Sequence, residues 1–514
     1  MTALVDALPA VPAAPAVATR RRAMLALARV EAVRMLRHPV TVAAVLLHVG
    51  PWVWVLARPG ADHYPVLHAD VVTLQMAATL LLGGSALVVA NLATLRERRH
   101  RTDAVSDLLV LPPPWRTAAF LVAVLALAGL ALLVFAAQVT TLALLPGRAG
   151  VLDVSDVAIP AGIVAVLGAA GVLLGRLIRS AVVAPLAAVA IAAAGFVSLA
   201  AVATGSTVGR LLPMLPDELP FALPAALVDR PSGRHLAYLA GLALVLATLA
   251  LLRSGARARL ALPALAAALA VTVAAGAAQF VGGAGMRAAR AAATADPSAL
   301  ETCQARAGVT YCAFDDFTAW IPAWEDVVGD VTALVPPAAS TAGPPLAVRQ
   351  RVWADGYVAA GVFGPADEEA VERAQRDSDA AAGLPESVTI GTTWGKAESA
   401  AVLAAGVAYR FVTGRAPAGN AVACGAPGAL VVWLAGQASS RTAEGVRVLD
   451  RNSSGALASS ATRPGPTPTT GGRSLWSSPP RQRWSRRRGP RAACAGGHRA
   501  RLRPSRRGGS VDWA

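Results

Sequence analysis

The chain has 514 residues, of which 55% are hydrophobic and only 15% charged, where a soluble protein carries about 25% charged residues. Its mean hydropathy of +0.51 excludes intrinsic disorder over most of the length and argues against a purely soluble enzyme; a large part of the chain belongs in a bilayer. The formal net charge of +16 is concentrated at one end: residues 441–514 hold 16 Arg against three acids, so the remainder is nearly neutral and the basic pI is no sign of nucleic-acid binding. Lys396 is the only lysine, and with abundant Ala, Gly and Pro it points to a GC-rich coding sequence, which leaves the choice of Arg over Lys without functional weight.

Residues 1–39 read as a cytoplasmic leader followed by a basic helix. The first 19 residues contain Asp6 and several prolines, and lack the basic-then-apolar order of a cleavable signal peptide. In 20–38, Met24, Leu25, Leu27, Ala28, Met35 and Leu36 alternate with Arg at helical spacing until Pro39 breaks the run. An amphipathic helix lying on the inner leaflet fits this pattern. The simpler reading is a basic flank that only sets topology.

Residues 40–284 form the expected transmembrane domain. Seven runs are long enough to cross about 30 Å of hydrocarbon: 40–57, 71–95, 118–145, 157–174, 181–204, 235–252 and 260–281. Pro160 and Pro185 are tolerable near helix ends or as kinks. Arginines cluster on alternate connections: Arg20, Arg21, Arg22, Arg29, Arg34 and Arg37; then Arg96, Arg98, Arg99, Arg101 and Arg116; then Arg176 and Arg179; then Arg253, Arg257 and Arg259. The opposite loops carry Asp62, Asp70, Asp153, Asp156, Asp217, Glu218 and Asp229. The positive-inside rule then places the N-terminus in the cytoplasm and everything after about 284 outside, in a multi-pass protein of the cell membrane.

Polar residues within the spans are few: Gln75, Ser85, Asn91, Gln138, Thr140, Thr141, Thr248, Thr272 and Gln279. No span centre is expected to carry an acid or a base, which takes weight from ion-coupled transport and favours amphiphilic or lipid-like cargo; helix–helix hydrogen bonding is the plainer use of each. In the first outer loop Asp62, His63, His68 and Asp70 are acceptable metal ligands, although a solvated polar loop explains them as well. Trp52 and Trp54 read as interfacial anchors.

Residues 285–440 change character and are expected to form a small extracytoplasmic α+β domain. Helices are expected over 318–334, 367–382 and 397–413, a strand-like stretch over 346–363, and an apolar run over 429–435 too short to span. Cys303 and Cys312, nine apart on the side expected to be oxidising, suggest a disulfide; zinc is weaker, since no CxxC or second Cys/His pair accompanies them. Asp315 and Asp316 read as a helix N-cap. Gly391–Ala397 is one residue short of a P-loop, and Ala397 stands where a magnesium-binding hydroxyl is needed, so no ATP site is expected. HExxH, GxSxG and EF-hand patterns do not occur. The chain is expected to be no enzyme and to carry no cofactor or metal.

Residues 441–514, rich in Arg, Pro, Ser and Gly, read as a disordered tail. Three readings stay open: nucleic-acid binding, which the topology opposes; contact with anionic lipid; and a GC-rich gene translated out of frame.

Residues 24–39 (MLALARVEAVRMLRHP), followed by a span, and 96–116 (RERRHRTDAVSDLLVLPPPWR), after the second span, resemble the ABC-2-type permease subunits of ABC transporters. The likeness covers about the first 260 residues. It implies a subunit that works with a separate ATP-binding cassette ATPase, as a dimer of membrane halves. The loop after the second span would then be the coupling segment, with Arg96, Arg98, Arg99, Arg101, Asp103, Ala104, Ser106, Asp107 and Leu108 at or near the ATPase. A seventh span and a large outer domain depart from the usual six-span pattern. The competing class is a membrane-anchored outer-domain sensor or binding module without transport activity.

Overall fold

The computed structural model describes residues 17–57, 64–99, 111–202, 208–213, 222–337, 344–352, 365–395, 397–417 and 425–452. Helix α1 (Val17–Leu36) is followed, after a two-residue break, by α2 (Pro39–Leu56). Pro39 lacks the amide that would continue the ladder, and His38 caps α2 by accepting from the Val40 amide at 3.3 Å. The second apolar run is a single long segment: α3 (Leu67–Ala78), a π-helical turn at Thr79–Gly83, and α4 (Gly84–Arg99). Then come α5 (Pro113–Leu144), α6 (Val154–Leu177), α7 (Val183–Val202), α8 (Ser232–Arg253) and α9 (Ala258–Ala278).

Among the described residues six helical segments are long and apolar enough to cross a membrane: α2, α3–α4, α5, α6, α8 and α9. The fifth expected span is helical as α7, whose described apolar stretch, Val183–Val197, is a shorter one. Pro185 falls in its first turn, where a missing amide costs nothing. The bundle is dense at its centre and bare outside: 61% of the apolar window of α3–α4 is buried, against 17% in α2 and 11% in α9. Leu46, Leu125, Leu133, Phe196 and Val273 face outward. Water does not tolerate apolar surface on this scale, and a bilayer does.

Glycine lets α4 and α6 approach closely. A Cβ on Gly171 of α6 would run into the Leu87 carbonyl oxygen of α4, and one on Gly175 would lie 2.8 Å from Thr94 Cβ. Small residues four apart let the two backbones meet.

After α9, α10 (Gly283–Ala295) leads into a four-stranded sheet of order β1-β2-β3-β4. β1 (Glu301–Arg306) and β2 (Val309–Phe314) form an antiparallel hairpin; β3 (Ala347–Gln350) and β4 (Val388–Ile390) continue in parallel. The connections are α11 (Ile321–Ala333), entered through a 3-10 turn at Asp315–Trp320, and α12 (Pro365–Ala381). α13 (Ala397–Thr413), α14 (Gly425–Ala438) and α15 (Ser440–Asn452) complete the domain. The helices expected over 318–334, 367–382 and 397–413 are α11, α12 and α13. Of the strand expected over 346–363, β3 is the described part, and 353–363 lie outside the described residues. The tail expected from 441 starts in a different state: Ser440–Asn452 is helical and packs on α13 and α14, burying Thr442 and Val446. Its apolar positions recur at helical spacing, a signal hidden by the Arg-rich composition around it. Residues 453–514 lie outside the described residues.

The sheet has one apolar and one ionic face because side chains alternate along a strand. Tyr311, Ala313 and Val348 join Trp320, Trp324, Val327 and Val331 and the α13 residues Ala401, Ala404 and Ala408 in one core. On the other face Arg349 bonds Glu301 at 2.7 Å and Asp379 at 2.8 Å, and Arg351 also bonds Asp379. Ser387 donates to the second Asp379 oxygen at 2.8 Å. α12 and α10 cover this face, tied by Gln375 to the Thr294 carbonyl and by Ser378 to Asp296.

Cys303 and Cys312 stand opposite each other in the hairpin, Cα atoms 4.0 Å apart, and are disulfide-bonded, as expected. A Cys303→Ser/Cys312→Ser double variant should lose about 2 kcal/mol of stability, read as a lower midpoint of thermal unfolding of the full chain.

Burial lifts the Glu301 carboxyl to about 7 in spite of the Arg349 guanidinium beside it, and Glu301 Oε1 has no partner among the described residues. Hydrogen bonds from Ser378 and Ser298 hold Asp296, at the rim, down at about 2. Between pH 4.5 and 7 the folded state therefore keeps a proton on Glu301 that the unfolded chain has released. That contribution is complete below 4.5 and lost as pH rises through 7; Asp296 acts in the opposite sense, its contribution present above 3.8 and lost toward 2. Amide-exchange protection in β1 and β3, corrected for intrinsic rates, should fall from pH 4.5 to 7, and Glu301→Gln should remove that fall.

Candidate functional site

Two polar clusters lie at opposite ends of the bundle. At the end carrying Arg96 and Arg116, α1 buries Ala28, Glu31 and Met35 against α5 and α4. This stripe includes a carboxylate, so α1 is not divided simply into a wet and a greasy face. Glu31, 4% exposed, accepts from Arg34 at 2.8 Å and from Arg96 at 3.1 Å. A carboxylate this deep needs a cation, and Arg96 supplies it from the end of the second span. Arg98 and Arg99 complete α4; Arg101, Asp103, Ala104, Ser106, Asp107 and Leu108 lie outside the described residues.

The chain returns at Leu111, and Pro113 opens α5, where a proline fits the first turn. Arg116 and Thr117 are buried, and Thr117 Oγ1 lies 2.6 Å from Ser254 Oγ at the end of α8. The Arg176 guanidinium, from the last turn of α6, lies 5.8 Å from the Phe120 ring centroid. The ends of α1, α4, α5, α6 and α8 are thus fastened together where the chain leaves for residues 100–110.

At the other end the polar groups are more deeply enclosed. Arg230 Nε lies 2.9 Å from Asp156 Oδ1, with both side chains 4% exposed. Arg230 also bonds Gln75 Oε1, and Gln75 Nε2 donates to the Asp156 carbonyl at 2.7 Å. His235 bridges Gln279 Oε1 at 2.9 Å and the Pro213 carbonyl at 3.1 Å. Arg210 donates to the Gln279 carbonyl at 2.6 Å and to Asp229 at 2.9 Å.

The sheet domain is built onto this end. The span connections are tied to one another, His68 Nε2 lying 2.7 Å from the Leu223 carbonyl and Val66 forming a bridge with Ala149, and Trp320 Nε1 joins the domain to them by donating to the Gly147 carbonyl at 2.7 Å. Asp316 accepts from the Ala225 amide at 3.0 Å, while its carbonyl accepts from Gly150 at 3.2 Å. The helix cap expected from Asp315 and Asp316 is not made. Asp315 accepts from Thr302 at 2.6 Å, and Asp316, its carboxyl pushed up by burial, binds a loop between spans.

The expected metal-ligand loop comes apart in the same way. His68 serves the Leu223 carbonyl, Asp70 accepts from the Val66 amide at 3.0 Å, and Asp62 and His63 lie outside the described residues. Among the described residues no group of three His, Cys, Asp or Glu is placed to hold a metal ion. The near-P-loop does follow a parallel strand and precede a helix, as a phosphate cradle would. Trp394, however, turns into the core, edge-on to Tyr64 and Trp324 at 6.3 Å each.

Sequence reasoning missed a base in mid-span. His48, in the middle of α2, is buried and lies 2.9 Å from Gln138 Oε1 of α5. It was legible as the one His of an otherwise apolar run. Several of the other intramembrane polar residues bond within their own helix, as Thr248, Thr272 and Thr141 do to the carbonyl four residues back.

Asp156→Asn should cost about 3–5 kcal/mol by leaving the Arg230 charge enclosed, seen as a lower thermal midpoint; Asp156→Leu combined with Arg230→Met should recover most of the loss. Compared with known proteins, the sequence matches no family model and no curated protein.

Proposed function

We propose that this protein is the membrane-spanning subunit of an ATP-driven transporter, coupled to a separate ATP-binding cassette ATPase, and that it works as a dimer in the cell membrane. In this reading α7 is a span like the other six, the N-terminus and the Arg96 end of the bundle face the cytoplasm, and the sheet domain with its disulfide is extracytoplasmic. The alternation of arginine-bearing and acid-bearing connections supports this orientation. The resemblance of residues 24–39 and 96–116 to ABC-2-type permeases supports the partner.

One observation carries the reading: Glu31 of the leading helix holds Arg96 at the point where the second span becomes the loop toward the partner. Together with the Thr117–Ser254 contact, it makes the helix ends on either side of that loop a single fastened block. A push on the loop then arrives as rigid-body displacement of the second and third spans. The competing reading, a sensor or binding module without transport, draws on the way the sheet domain is built onto the opposite ends of the same spans.

If a neighbouring gene encodes an ATP-binding cassette ATPase, deleting residues 96–111 should abolish its co-purification with this protein. Retention of the ATPase by the deleted protein refutes coupling through this loop. A cysteine introduced near position 100 should react with an impermeant maleimide only in inverted vesicles; reaction from outside intact cells refutes the orientation.

A further inference from the structure

The sheet domain holds an open cavity of about 850 Å³ between the β1–β2 hairpin, α11 and the start of α15. Small-molecule sites occupy roughly 300–1,000 Å³. Its position follows from two periodicities. Alternation along β2 sends Val309 and Tyr311 to the same side, and helical spacing sets Asp326 and Asp330 one turn apart on the exposed flank of α11, whose other flank packs Trp324, Val327 and Val331 into the core.

The charge is unbalanced toward acid. Glu325, Asp326 and Asp330 line the cavity; the cations near it are Arg441 on the far wall and Arg306, 3.5 Å from Glu325. Burial and the neighbouring Asp326 push the Asp330 carboxyl up. Two like charges four residues apart disfavour the helix that carries them, a repulsion that a bound cation would reverse.

The independent observation is Tyr311. Its side chain is 1% exposed and lines the cavity, and its hydroxyl makes no hydrogen bond to any described residue. Burial, with Glu325 and Asp326 close by, pushes the phenol up, so it stays a neutral hydroxyl with its lone pairs available. The hydroxyl opens on the cavity instead of being sealed behind it, so a ligand that donates a hydrogen bond would find an unused acceptor there. Ala307, Val309 and Val328 give the wall an apolar part. With no metal-binding group among the described residues, the lining suits a carbon-bearing cation better than a bare ion.

We infer that this cavity binds an organic cation, an ammonium or guanidinium group on a short hydrocarbon. Asp326 and Asp330 hold the charge, Tyr311 accepts a hydrogen bond from a nitrogen, and the Val309 side covers the hydrocarbon. The inference concerns binding alone and stands whether or not the spans transport anything.

The test is calorimetric titration of the full chain in nanodiscs with agmatine, a small dication carrying both groups, and with n-butanol as the uncharged control. Agmatine should bind saturably at one site and n-butanol should not. Asp326→Asn with Asp330→Asn should weaken binding at least about tenfold, and Tyr311→Phe about threefold to tenfold with an unchanged thermal midpoint. No saturation by about 10 mM agmatine, or equal binding by the double carboxylate variant, overturns the inference. So does tighter binding of Ca²⁺ that is lost in the same variants, since it would make the site a metal site.

Discussion

The sheet domain does not close its own core. Val66, Ala149, Ala222, Leu223 and Leu227, all from connections between the membrane helices, are buried in the same apolar cluster as Phe317, Trp320 and Trp324. Burying a side chain such as Leu is worth about 1.5–3 kcal/mol, so pulling the domain away would expose several such groups at once. It would also strand the hydrogen-bonding groups of Asp316 and Trp320 and their partners at Ala225, Gly150 and Gly147. The helices and the domain therefore hold each other in place.

Charge is handled differently along the bundle. The middle is held by close backbone approach at Gly171 and by the His48–Gln138 contact. Both ends use enclosed ions paired with arginines: Glu31 with Arg34 and Arg96, Asp156 with Arg230, and Asp229 with Arg210. Isolated charges in apolar surroundings are too costly to persist, so these pairs specify which helix ends lie together. The π-helical turn at Thr79–Gly83 sits between the two ionic ends, on a segment that reaches both.

That segment gives the transport reading its physical content. α3–α4 meets Glu31 through Arg96 at one end and Asp156 and Arg230 through Gln75 at the other, and the loop preceding it contributes Val66 to the core of the sheet domain. A displacement delivered beside Arg96 has a continuous packed route to that domain. The acidic cavity lies farther on, against the hairpin and α11. A domain that both holds a ligand and feels the spans would serve a transporter or a sensor equally, and whether an ATPase binds at the Arg96 end separates the two.

The sequence by itself determined the apolar helices, the disulfide pair, and the helices α11, α12 and α13, because each depends on periodicity or spacing within a short window. It also exposed the arginine asymmetry between alternate connections, which local composition carries. Only the tertiary structure decided which polar residues are enclosed. Glu31 looks like one more charge on a basic helix, Asp156 like a loop acid, and Asp316 like a cap, yet each is committed to a partner 65, 74 or 91 residues away. The same holds for Trp394, whose ring packs edge-on to Trp324 in the core, and for Tyr311, whose hydroxyl matters only beside the acids of α11. Burial and pairing arise between segments distant in sequence, and no pattern within one segment records them.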